Sequence, residues 1–141
     1  MKKVLSLNKI TPDYKSINKV IALSIGHATK SKIKKILQSY NQKEHYLIGG
    51  FIDNHLIAII GIYLEGNLGV IKHLAVVENY RRQGIAWQLI KEVIHSFSLK
   101  QLKAETDDEA VRFYQQCGFR CYPIVSPYRN RYECLYSLDL N

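Results

Sequence analysis

The chain has 141 residues, a length that suits one hydrophobic core, and we expect a single domain over residues 1–141 rather than a two-domain enzyme. Hydrophobic residues make up 47% and charged residues 23%, which fits a globular chain and excludes disorder. Lys and Arg number 20 against 12 Asp and Glu, a formal net charge of +8 that attracts phosphates on nucleic acid, an anionic membrane or a phosphorylated cofactor, and makes a strongly cationic substrate awkward.

The longest apolar run, residues 56–64, is too short to cross a bilayer. The basic N-terminus breaks at Asn8 and Lys9, so no signal-peptide core follows it. Cys117, Cys121 and Cys134 are odd in number and lack zinc spacing, so we expect reduced thiols in a cytoplasmic protein, and no metal.

Residues 2–10 alternate loosely and predict a first strand. Thr11-Pro12-Asp13 reads as a helix start, with Thr11 as cap and Pro12 at the first helical position. Ile17, Val20, Ile21 and Ser24 then follow at helical spacing until Gly26. A second helix carries Ile33, Ile36, Leu37 and Tyr40 on one stripe, and Lys30, Lys32, Lys34 and Lys35 on a face that reads as solvated surface. From Tyr46 the period changes. Residues 46–52 and 56–64 predict two strands joined by a turn at Asp53-Asn54, and residues 70–77 a third. A loop bearing Arg and Gly leads to a helix with apolar positions from Ile85 to Phe97. Residues 102–106 predict another strand. Asp107 or Asp108 can cap a helix through Phe113 and Tyr114 that stops at Gly118, and two strands close the chain near 120–125 and 132–138. This order, with no repeat or linker, predicts a mixed α/β (α+β) layer rather than a helix-turn-helix or a β-barrel.

The strongest local signal runs from Leu74-Ala75-Val76 through Arg81-Arg82-Gln83-Gly84-Ile85-Ala86. A strand feeds a loop, and the loop opens a helix whose first N–H groups lack intrahelical partners and sit at the positive end of the dipole. Gly84 lets backbone approach an anion, Ala86 is nearly as small, and Arg81 and Arg82 add charge, which together predict a pyrophosphate cradle. The pattern is neither a Walker A loop nor a Rossmann fingerprint.

Arg81-Arg82-Gln83-Gly84-Ile85-Ala86 resembles the Arg/Gln-x-x-Gly-x-Gly/Ala motif of the GNAT superfamily of N-acetyltransferases. Asp107-Asp108-Glu109-Ala110-Val111-Arg112-Phe113-Tyr114-Gln115-Gln116-Cys117-Gly118-Phe119 resembles its Asn-x-x-Ala-x-x-Phe-Tyr-x-x-x-Gly-Phe segment. The element order is similar as well, so the resemblance covers essentially the whole chain. It implies a mostly antiparallel twisted sheet of about seven strands flanked by about four helices. It also implies a splayed parallel strand pair that holds acetyl-CoA. The amides of Arg81, Arg82, Gln83, Gly84, Ile85 and Ala86 would bind the pyrophosphate, and Leu74, Ala75 and Val76 would pair with the pantetheine arm. Tyr114 would be the general acid that protonates the departing thiolate, a role that suits a neutral phenol. Asp107 stands where the family often has Asn; an acid suits a helix cap better than contact with a polyanion.

The general base is not visible. His73 has suitable chemistry, but strand alternation puts it opposite Lys72 and Leu74, and it reads as a structural histidine. Glu105, Glu44 and His45 are weaker candidates. The Tyr- and Arg-rich segment around Tyr128 reads as an acceptor-recognition loop or a plain hairpin. The function expected is transfer of an acetyl group from acetyl-CoA to the amine of a small molecule or peptide, by a monomer or homodimer without membrane attachment. A silent coenzyme A sensor and a basic nucleic-acid-binding module are the alternatives; the spread of basic residues along the sequence disfavours the second.

Overall fold

In the computed structural model, residues 4–127 and 130–138 are described. Strand β1 (Ser6–Ile10) leads to helices α1 (Ile17–Ile21) and α2 (Lys30–Ser39), then to strands β2 (His45–Ile52), β3 (His55–Glu65) and β4 (Leu68–Val76). Helix α3 (Ile85–Ser96), strand β5 (Gln101–Asp107), helix α4 (Val111–Gln116) and strands β6 (Arg120–Ile124) and β7 (Arg131–Ser137) complete the chain. The seven strands form one sheet in the order β1-β2-β3-β4-β5-β7-β6. Every pairing is antiparallel except β4 with β5. None of the described helices is long and apolar enough to cross a membrane.

The long apolar run predicted as a strand is β3, and it is covered on both faces, as an unbroken apolar run requires. Ile59 packs with Ile17, Val20, Ile21, Leu37 and Tyr40 under α1 and α2. Ile60 and Ile62 pack with Leu89, Ile90 and Val93 of α3 and Tyr114 of α4. The molecule is therefore a sheet between two helical layers, with α1 and α2 on one face and α3 and α4 on the other.

The first helix departs from expectation. Thr11 does not cap it: the Thr11 hydroxyl donates to the Asp13 carboxylate, and Tyr14 N–H donates to the Thr11 carbonyl at 3.0 Å, closing a turn. Ser16 then sits at φ 73°, and α1 is a five-residue helix followed by a 3₁₀ turn at Ala22–Ser24. Helix α2 begins at Thr29, whose hydroxyl accepts from Lys32 N–H at 3.1 Å. The Asp53-Asn54 turn is as predicted, with both residues at positive φ, the twist a two-residue hairpin needs.

Helix α4 starts at Val111 after a turn in which the Asp107 carboxylate accepts from Glu109 and Ala110 N–H at 3.0 and 3.1 Å. It stops where predicted, at Gly118 with φ 98°. Phe119 N–H donates to the Tyr114 carbonyl and Gly118 N–H to the Gln115 carbonyl, a Schellman closure. The expectation of three reduced thiols is corrected. Cys121 and Cys134 face one another across β6 and β7 and are joined as a disulfide, leaving Cys117 as the free cysteine among the described residues. Alone among the cysteines, these two occupy opposed positions on paired strands, which spacing along the sequence does not reveal.

Candidate active site

The parallel pairing of β4 and β5 is short. Leu68 to Ile71 match Gln101 to Ala104, and beyond that the two strands no longer pair. The strands splay, and a cavity of about 1020 Å³ opens between them. Leu23 and Ser24, from the link between α1 and α2, line one side; Ile85, Ala86 and Trp87 of α3, with Phe113 and Tyr114 of α4, line the other. The cavity thus reaches both faces of the sheet.

A bulge shapes the β4 wall. Gly61 of β3 lies opposite His73, but Ile62 lies opposite Ile71, so Lys72 is the extra residue. Past the bulge, Leu74 and Val76 pack with the α3 side and Ala75 with the α1–α2 side. Val77 N–H donates to the Ile57 carbonyl of β3 at 2.8 Å. Backbone groups alternate along a strand, so Val76 turns its N–H and C=O toward the gap. Its carbonyl is taken there by Arg81 Nε at 2.8 Å.

At one end of the gap stands the N-terminus of α3. Gly84 caps it at φ 77° without any side-chain hydrogen bond to the first turn, and a Cβ at Gly84 would meet nothing within 4 Å. The first-turn amides therefore face open space at the positive end of a 12-residue helix. Arg81 and Arg82 flank them, Arg82 in a left-handed conformation with φ 64°. Of the residues singled out from the sequence, Leu74, Ala75, Val76, Arg81, Arg82, Gly84, Ile85, Ala86, Asp107 and Tyr114 line this one cavity. Gln83 does not; its side-chain amide turns back to the Asn79 carbonyl at 3.4 Å. Asp107 reaches the wall with its carboxylate engaged by the α4 turn, and Asp108 instead accepts from the Tyr132 hydroxyl at 2.7 Å.

Tyr114 is 7% exposed, with Phe113 and Phe119 edge-on against its ring. Burial raises its pKa well above the ordinary phenol value, so it is a neutral donor at working pH. His73 lines the gap, half-buried, and its Nδ1 lies 2.5 Å from the Tyr40 hydroxyl of the α2 C-terminus. Burial, helped by the positive charge of Lys72, lowers its pKa to about 4, so the ring is neutral at working pH. The Tyr40–His73 pair is not visible in the sequence. Its one trace is Gly61, where a Cβ would collide with the Tyr40 ring. Trp87 and Thr106 are further wall residues outside both motifs, and Phe113 and Cys117 of the second motif line the wall as well. Tyr128 lies outside the described residues. No cluster of three or more metal-binding side chains occurs among the described residues.

The acetyltransferase (GNAT) domain family model matches residues 13–131, and the chain belongs to that family. A GNAT family acetyltransferase from Elizabethkingia anophelis, solved with acetyl-CoA bound, superposes with a TM-score of 0.72 at 20% identity, over 95% of this chain and 98% of that one. The PaiA N-acetyltransferase of Thermoplasma acidophilum, solved with coenzyme A, gives 0.71 at 16% identity over 94% and 99%. In sequence, the [citrate [pro-3S]-lyase] ligase of Haemophilus influenzae is 30% identical over 112 residues, 72% of this chain. The chain spans about a third of that relative's length, 32%.

Proposed function

We propose that the chain transfers the acetyl group of acetyl-CoA to an amine nitrogen. The observation that carries this reading is the splay between β4 and β5, with an uncapped helix N-terminus at one end and a buried phenol on its wall. The Arg81 N–H is taken by the Glu78 carbonyl at 3.2 Å, so the pyrophosphate would sit on the amides from Arg82 to Ala86 with the Arg81 and Arg82 side chains beside it, and the pantetheine arm would lie along Leu74 and Val76. The acceptor amine attacks the thioester carbon. The Val76 N–H, turned into the gap, would stabilise the oxyanion, and Tyr114 would give its proton to the departing thiolate. The proton lost by the amine leaves through water or a base at the gap. We assign Asp107 to the α4 turn rather than to the cofactor. We propose further that the chain works in the cytoplasm, as a monomer or homodimer.

The test is acetyl-CoA binding by calorimetry together with thiol release against a panel of amines and peptides. Binding with release that depends on an amine is the expected result. Binding without release to any amine would favour a silent sensor, and no binding at all would remove the reading.

A further inference from the structure

The basic residues are spread along the whole chain, but the net charge is not. From Tyr14 to Gln42 there is no Asp or Glu, and this segment holds Lys15, Lys19, Lys30, Lys32, Lys34 and Lys35. It therefore carries six of the eight net positive charges, while acids offset the bases elsewhere. All six side chains are exposed, and among the described residues none is paired with a carboxylate. They belong to α1, α2 and their flanks, which cover one face of the sheet.

That face is the one left open to an acceptor. The α3 N-terminus lies with α4 on the opposite face, where the reading above seats the cofactor. Leu23 and Ser24, between the two lysine-bearing helices, line the gap from the acceptor side, and Leu23 is 50% exposed. A molecule reaching the gap from this side passes α1 and α2, whose charged side chains are all lysines, and these attract a polyanion and repel a polycation. The patch is too long for a small amine to use: α2 alone, at ten residues, spans about 15 Å. Glu105, exposed on the gap wall, already has the Arg131 guanidinium 4.0 Å from its carboxylate.

We propose that the acceptor is an acidic polypeptide, docked by its carboxylates on the α1–α2 lysine face while its amine reaches the gap past Leu23 and Ser24. The proposal rests on the acetyltransferase reading. In the step itself, the C–N bond forms as the C–S bond of acetyl-CoA breaks. One amine proton is lost to water or a base at the gap, the thiolate takes one from Tyr114, and the phenol regains its proton from water, giving an amide and free coenzyme A.

The test uses three peptides that share a central lysine and free N-terminus but are flanked by Glu, Gln or Lys, together with a small primary amine. KM and kcat are read by thiol release for the unaltered chain and for Lys30→Glu/Lys34→Glu/Lys35→Glu. The expected result is a KM for the Glu-flanked peptide about tenfold or more below that of the Lys-flanked one, an advantage erased by 0.5 M salt (about 4 Å Debye length) and by the triple substitution. The small amine's kcat should be the same in both proteins. Equal KM values for the three peptides, or a triple variant that keeps the Glu preference, overturn the acidic acceptor while leaving acetyl transfer standing. So does an oligonucleotide that binds the lysine face more tightly than the Glu-flanked peptide. Loss of acetyl-CoA binding and of all transfer is a different failure, that of the acetyltransferase reading, and takes this proposal with it.

Discussion

Tyr114 and His73 stand on the two sides of the gap, and burial drives their titrations in opposite directions. The phenol is held protonated, the form that a general acid needs. Tyr114→Phe should lower kcat by about 10²-fold, the usual worth of a positioned acid, with acetyl-CoA affinity nearly unchanged. Steady-state kinetics beside calorimetry will read both, and unchanged turnover would remove the role. His73 is held neutral, with a pKa near 4 against an ordinary 6.5. Below pH 6.5 the unfolded chain binds a proton there that the folded chain refuses, so this contribution to stability is whole above pH 6.5 and is lost as pH falls toward 4. His73→Asn should flatten the melting temperature against pH across that window; an unchanged slope would assign the acid sensitivity elsewhere. The sequence reading places His73 opposite Leu74, and the structure agrees. It could not supply Tyr40, because a contact between residues 33 apart depends on how α2 lies across the sheet, and no local pattern encodes that.

Among the elements, α3 shows what a local motif can state in full. Strand, loop, glycine and helix are adjacent in sequence, so the cradle is legible before any tertiary contact is known. Gly84→Val should weaken acetyl-CoA binding about tenfold or more. A branched side chain at φ 77° costs about 1–2 kcal/mol of backbone strain and places methyl groups where the phosphates would sit. Gly66→Val is the control. Gly66 lies in the β3–β4 turn at φ 61°, away from the cavity, so it should cost similar stability and leave affinity intact. Equal affinity losses in the two variants would mean that strain alone is being measured. The first helix shows the opposite case. Thr11-Pro12-Asp13 carries a sound helix-start pattern, yet the Thr11 hydroxyl closes a local turn instead, a competing hydrogen bond that pattern reading cannot rank. The Cys121–Cys134 bond is likewise a matter of register: the two sulfurs meet only because β6 and β7 pair with Cys121 opposite Cys134.

At the scale of the molecule, one sheet is built from two parts, β1–β4 and β5-β7-β6, joined by four paired positions between β4 and β5. That β7 inserts between β5 and β6 is not readable from hydrophobic periodicity, since the alternation within each strand is the same in either order. A cofactor lying in the gap touches both parts at once. Saturation at about 100 times Kd should add about 2.7 kcal/mol, which raises the melting temperature by roughly 8 °C for a chain of this size. Differential scanning fluorimetry over a titration will show it, and a flat response would argue against binding. The splay has another consequence. An open sheet has two edges, but this one, by parting past Ile71 and Ala104, has two more inside the molecule. Edges recruit extended chains, and Val76 turns an N–H with no partner in β5 toward the gap. On the reading proposed here the pantetheine arm, with its own amide groups, serves as an added strand that seals an internal seam. The empty protein is then the sticky form, and its solubility should follow the supply of coenzyme A.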